Sequence, residues 1–108
     1  MSNYDDFINA IEEGVKELAQ KILKGFKDEA LTDAKAFIEA SKGDLQRWTK
    51  LLKQGELSQD DFEWLVMGRK DVAELHALKQ SGLALVRLDR FKNALLDLVI
   101  DTAFDVFL

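Results

Sequence analysis

Along the first half of the chain the apolar positions return every eleven residues. One line reads Tyr4, Val15, Phe26, Phe37, Trp48. Its neighbour reads Ile8, Ala19, Ala30, Ser41, Leu52, and a third reads Phe7, Leu18, Glu29, Ala40, Leu51. An α-helix completes three turns in almost eleven residues, at about 3.67 per turn, so these lines run nearly parallel to a helix axis and form one apolar stripe. A short duplication keeps the same period: Gly14-Val15-Lys16-Glu17 returns as Gly25-Phe26-Lys27-Asp28.

The stripe predicts helix over residues 3–54. As one rod, residues 4–52 would span about 75 Å at 1.5 Å per residue. A compact domain of this size has a radius of gyration of only about 13 Å. A break is therefore expected, and two places offer one. Glu29 and Asp33 interrupt the stripe with acids. At Ser41-Lys42-Gly43-Asp44, Gly43 can close one helix and Asp44 can cap the next. The preferred break is the second, at residues 41–44. Gly14 and Gly25 lie on the flank of the stripe. There they are either tolerated, each costing up to about 1 kcal/mol against alanine, or they let another helix come close.

Beyond Gly55 the clearest local signal is Leu57-Ser58-Gln59-Asp60-Asp61-Phe62. Ser58 is an N-cap with Asp61 three residues on, and Leu57 and Phe62 are placed for a hydrophobic staple. Asp60, Asp61 and Glu63 suit a helix N-terminus electrostatically. A short helix over residues 59–67 follows, stopped by Gly68. A last helix is predicted over residues 71–107, with Val72, Leu75, Leu78 and Leu85 or Val86 at helical spacing and a kink or contact point at Gly82. Its second half is apolar around most of its circumference. The polar exceptions, Asp89, Asn93, Asp97, Asp101 and Asp105, stand four apart and share one face. A helix with one narrow polar strip is surrounded by protein elsewhere.

The fold class that follows is all-α: long amphipathic helices in one domain, residues 1–108, forming a helical hairpin or four-helix-type bundle completed by homodimerisation. The stripe and the last helix together present more apolar surface than a single hairpin covers. Contiguous exposed patches beyond a few hundred Å² are rare on monomers, and two-fold dimers are the commonest assembly. The expected interface is Val15, Phe26, Phe37 and Trp48 from the stripe, with Leu95, Leu98, Val99, Phe104 and Phe107 from the last helix.

Composition narrows the chemistry. The 108 residues contain no proline and no cysteine. The first absence supports helix throughout; the second excludes disulfides, thiolate metal sites and cysteine nucleophiles, and fits a reducing compartment. The net charge is −5, and both halves are acidic. No basic block offers a nucleic-acid footprint. The acidic start lacks the layout of a secretory signal, and the longest apolar run, Ala94 to Leu108, is interrupted by Asp97, Asp101 and Asp105. A cytoplasmic protein is expected.

The candidate reactive groups each have a structural explanation. Asp97, Asp101 and Asp105 spread over about 12 Å of helix, too far for one cation. His76 is the only histidine, and no Glu-x-x-His pair of the di-iron kind accompanies it. Ser58 is a cap. Trp48 and Trp64 are large core or interface anchors rather than ligand-stacking platforms. No catalytic, cofactor-binding or metal residue is assigned, and an enzyme is not expected. The expected function is that of a non-catalytic, self-associating helical interaction or structural protein. An alternative is reversible lipid-surface binding, because eleven-residue amphipathic repeats flanked by Lys16 and Lys27 also suit an interfacial helix. Glu29, Asp33 and Asp44 on the apolar face, and the net negative charge, weigh against it.

Overall fold

A computed structural model describes residues 3–108. The eleven-residue stripe does form helix, but it turns back on itself where its phase is unbroken. Helix α1 spans Asn3–Leu18 and runs on through a π-helical turn, Ala19–Leu23. Lys24 and Phe26 then adopt left-handed backbone, at φ 59° and 58°, on either side of Gly25 at φ 137°. The Gly25 N–H returns to the Ala19 carbonyl at 3.3 Å, closing the end of the helix. Helix α2 (Lys27–Ala40) leads away from this turn. The reversal answers the length problem: the molecule measures 42 × 27 × 21 Å, too short for a 75 Å rod.

A second break lies at Ser41, between α2 and α3 (Lys42–Lys53). It falls at the preferred place but works differently from the expectation. Gly43 sits inside the first turn of α3, and Asp44 caps nothing; it pairs with arginines instead. Ser41 itself departs from helix, at φ −104° and ψ 7°.

Gly55 ends α3 at φ 77°. Helix α4 spans Gln59–Met67, and the Ser58 hydroxyl accepts from the Asp61 N–H at 3.1 Å. The expected continuous helix over residues 71–107 is three pieces. A 3₁₀ turn (Lys70–Val72) and a five-residue helix α5 (His76–Gln80) precede α6 (Leu85–Phe107). Two local causes separate them. Leu75 takes left-handed backbone at φ 55°, and Gly82 turns the chain at φ 80°.

Asp33 explains why α5 starts where it does. Its carboxylate is almost fully buried. One oxygen accepts from the Ala77 N–H and the other from the Leu78 N–H, each at 2.9 Å. The acid that seemed to interrupt the stripe therefore caps a helix 44 residues downstream, satisfying donors that every helix N-terminus leaves free.

The protein is all-helical, with no strand among the described residues. Helix α6 is the spine. Leu88, Phe91, Leu95, Leu96, Val99, Ile100 and Ala103 form its buried face, and α1, α3 and α4 pack on it. Helix α1 also packs on α2, and α2 on α5. At the α1–α6 crossing, a Cβ on Gly14 would stand 2.6 Å from Leu98 Cδ1, so this glycine admits the neighbouring helix. Phe7 meets Phe107 edge-on at 5.5 Å between ring centres. None of the described helices is long and apolar enough to cross a membrane.

Candidate interaction cleft

With this topology, most of the expected interface set lies inside the chain. Val15, Phe37, Leu95 and Val99 are buried, Trp48 nearly so. Leu98, Phe104 and Phe107 are half-buried against the core. The physical reason is the reversal at residues 24–26, which lays α1 on α6 and lets one chain cover surfaces that a straight helix would leave open. Phe26 is the exception: at the turn, it keeps 38 % of its surface in solvent.

The apolar surface that remains open is elsewhere. Trp64 is 77 % exposed, Leu85 79 % and Val86 70 %. Trp64 is explained by its register. Phe62 and Val66 are the buried positions of α4, and a residue midway between them points about 200° away from either. Leu85 and Val86 are on the first turn of α6, ahead of Leu88, the first residue of its buried face.

Trp64 forms one wall of an open cleft between α3 and α4. The cleft encloses about 520 Å³ and is lined by Trp48, Trp64, Leu65, Met67 and Gly68, with Asp44 and Arg69 as its polar members. Arg69 holds this corner together. Its guanidinium meets Asp44 at 3.1 Å and donates to the Ser41 hydroxyl at 3.3 Å and the Ala40 carbonyl at 3.1 Å. Asp44 also receives Arg47 at 2.8 Å, so both carboxylate oxygens are engaged by guanidinium groups. Arg69 thus pins the α2–α3 break to the end of α4. Nothing in its local sequence marks it for this role, because its partners lie about 25–29 residues upstream.

The two exposed apolar sites differ in charge. Asp60 and Glu63 border Trp64 and Met67 in a shallow depression on the outer side of α4. Leu85 and Val86 are followed by exposed Arg87 and Arg90. His76 is exposed and contacts Glu74, away from the cleft. Asp97, Asp101 and Asp105 are exposed along the outer strip of α6. Compared with protein-family models, characterised proteins and solved structures, the chain shows no significant match.

Proposed function

We propose that this is a non-catalytic helical protein that acts by pairing with other helices, foremost with a second copy of itself as a dimer in the cytoplasm. The exposure of Trp64, Leu85 and Val86 carries the proposal. The chain covers its other bulky aromatic side chains wholly or in large part, and Trp is the residue most enriched at the centres of contact surfaces.

Charge indicates the occupant. Trp64 and Met67 sit beside Asp60 and Glu63, whereas Leu85 lines a depression with Lys79, Asp89 and Lys92 and Val86 stands one turn before Arg90, so that cations outnumber the one acid there. An apolar-acidic face and an apolar-basic face complement one another. Each copy carries both, so a two-fold pair engages both faces together. On this view the helical bundle is completed by the second copy through α4 and the start of α6, rather than through the residues already buried in its core. Sedimentation velocity tests it. The wild type dimerises in the micromolar to submillimolar range, added salt weakens the pair, and Trp64→Ala weakens it about a thousandfold, the effect of losing two aromatics, one from each copy, each worth ~2 kcal/mol. A strictly monomeric wild type refutes the proposal.

The alternative is reversible binding to a lipid surface, favoured by the same Leu85–Val86–Arg87–Arg90 turn, which can place two apolar side chains at the acyl boundary beside two cations. Flotation with anionic vesicles separates the two. Monomer that floats with vesicles but does not dimerise supports the lipid surface.

A further inference from the structure

The apolar line of the eleven-residue repeat passes in phase straight through a turn. Val15, Phe26 and Phe37 keep one phase across residues 24–26, so residues 3–40 encode one continuous amphipathic helix as well as the hairpin they adopt. A continuous helix of 38 residues would be about 57 Å long. The hairpin holds Lys24 and Phe26 in left-handed backbone, a conformation unfavourable for residues with a Cβ. The last turn before it, Ala19–Leu23, has already widened from α to π. Phe26 is also the one member of the line Val15, Phe26, Phe37, Trp48 that remains exposed. Opening the hinge into helix would relieve Lys24 and Phe26 together and return Phe26 to the stripe.

We infer that residues 24–26 are a hinge for exchange of α1 between two copies of this chain. Helix α1 leaves its own α6 and docks on the α6 of the second copy, while the second copy's α1 fills the vacated place. The contacts of α1 are then reproduced between chains: Gly14 against Leu98, and the Phe7 ring against Phe107. Only the hinge changes, which is why such exchange is a low-cost route to a dimer. The inference rests on the proposal that the chain pairs with its own copy. Pairing through α4 and α6 would raise the local concentration of the second α1, and hinge opening would make the pair durable.

Two substitutions at neighbouring positions have opposite expected effects. Gly25→Ala puts a Cβ at φ 137°, where only glycine is at ease, and improves the open helix. Lys24→Gly relieves the closed turn and weakens the open helix, and because Lys24 is exposed it removes no core packing. Each dimer contains two hinges, so the dimerisation constant should tighten about a hundredfold or more for Gly25→Ala and loosen by a similar factor for Lys24→Gly. Sedimentation equilibrium on the three proteins measures this. In parallel, an equimolar mixture of isotope-labelled and unlabelled chains is unfolded, refolded and examined for ring-to-ring nuclear Overhauser effects between Phe7 and Phe107. Exchange requires these effects between chains in the dimer. A dimer whose constant is the same in all three proteins, with Phe7–Phe107 effects confined within one chain, overturns hinge exchange and leaves pairing through α4 and α6 standing. No dimer in any of the three overturns both.

Discussion

Replacing Asp33 with alanine should be among the most damaging single changes available to this fold. Its carboxylate is buried, and both of its oxygens accept backbone N–H groups, Ala77 and Leu78, at 2.9 Å. Hydrogen bonds to a charged acceptor contribute about 1.5–3 kcal/mol each, so the gross loss is about 3–6 kcal/mol. Removing a carboxylate also removes its desolvation cost, which offsets part of this. The Leu78 N–H stays buried without an acceptor, whereas the Ala77 N–H, at a half-buried residue, is accessible to water. A net loss of about 2–4 kcal/mol follows, a sizeable share of the roughly 5–15 kcal/mol typical of a domain. Asp33→Asn should recover little, because one of its two termini is an amide that faces a donor with another donor. Urea unfolding is the assay. With a slope of about 2 kcal/mol per molar, the midpoint should fall by about 1–2 M with the slope unchanged. Hydrogen exchange at Ala77 and Leu78 should accelerate first. Thr32→Ala is the control: that hydroxyl bonds the Asp28 carbonyl at the surface, and the change should stay within about 0.5 kcal/mol. A loss below about 0.5 kcal/mol for both Asp33 variants would refute the account of α5 as a helix started by a remote carboxylate.

Two further outcomes follow from the packing of α1. The Tyr4 hydroxyl is buried with no hydrogen-bond partner among the described residues, and burial, then the Glu39 carboxylate, raise its pKa above 10.0. Tyr4→Phe should be neutral or stabilising at neutral pH; because the folded pKa is the higher one, the wild type loses stability as pH rises from 10.0 through the folded pKa, and the advantage of phenylalanine should widen over that window in paired unfolding curves. Gly14→Ala gains about 1 kcal/mol of helix propensity but drives a Cβ to 2.6 Å from Leu98, an overpacking worth about 1–3 kcal/mol. It should destabilise the wild type and stabilise a Leu98→Ala background; the same sign in both would show that the two helices are not in close contact.

The all-helical class was readable from periodicity because a buried face obliges apolar residues to recur with the helix. The Ser58 cap was readable because its partners lie within one turn. What escaped was everything decided at long range. Asp33 breaks the apolar pattern, and its purpose depends on two amides 44 and 45 residues away. The turn at residues 24–26 uses the freedom of Gly25 and lets α1 lie on α6; the apolar line of the repeat argues locally for helix through it. The expected interface residues lie mostly in or against the chain's own core, because whether an apolar side chain faces its own chain or another depends on where the backbone reverses. Trp64 was within reach. Phe62 and Val66 are four apart and define the covered face of α4, which leaves Trp64 on the opposite side.

The partnership of α1 with α6 joins the first and last of the described helices, with Phe7 resting on Phe107 across a hundred residues of sequence. Synthesis proceeds at about 5–20 residues per second, so α1 exists for about 5–20 s before the helix that covers it has been made. Through that interval Phe7, Ile11 and Val15 lack the surface that shelters them in the finished molecule. On a polysome, chains at successive stages of elongation stand close together, and the first α6 to emerge need not come from the same chain as the α1 that is waiting for one. Under the exchange inferred above, the order of synthesis sets a race between closure within a chain and capture by its neighbour, with an outcome that depends on translation speed as well as on equilibrium stability.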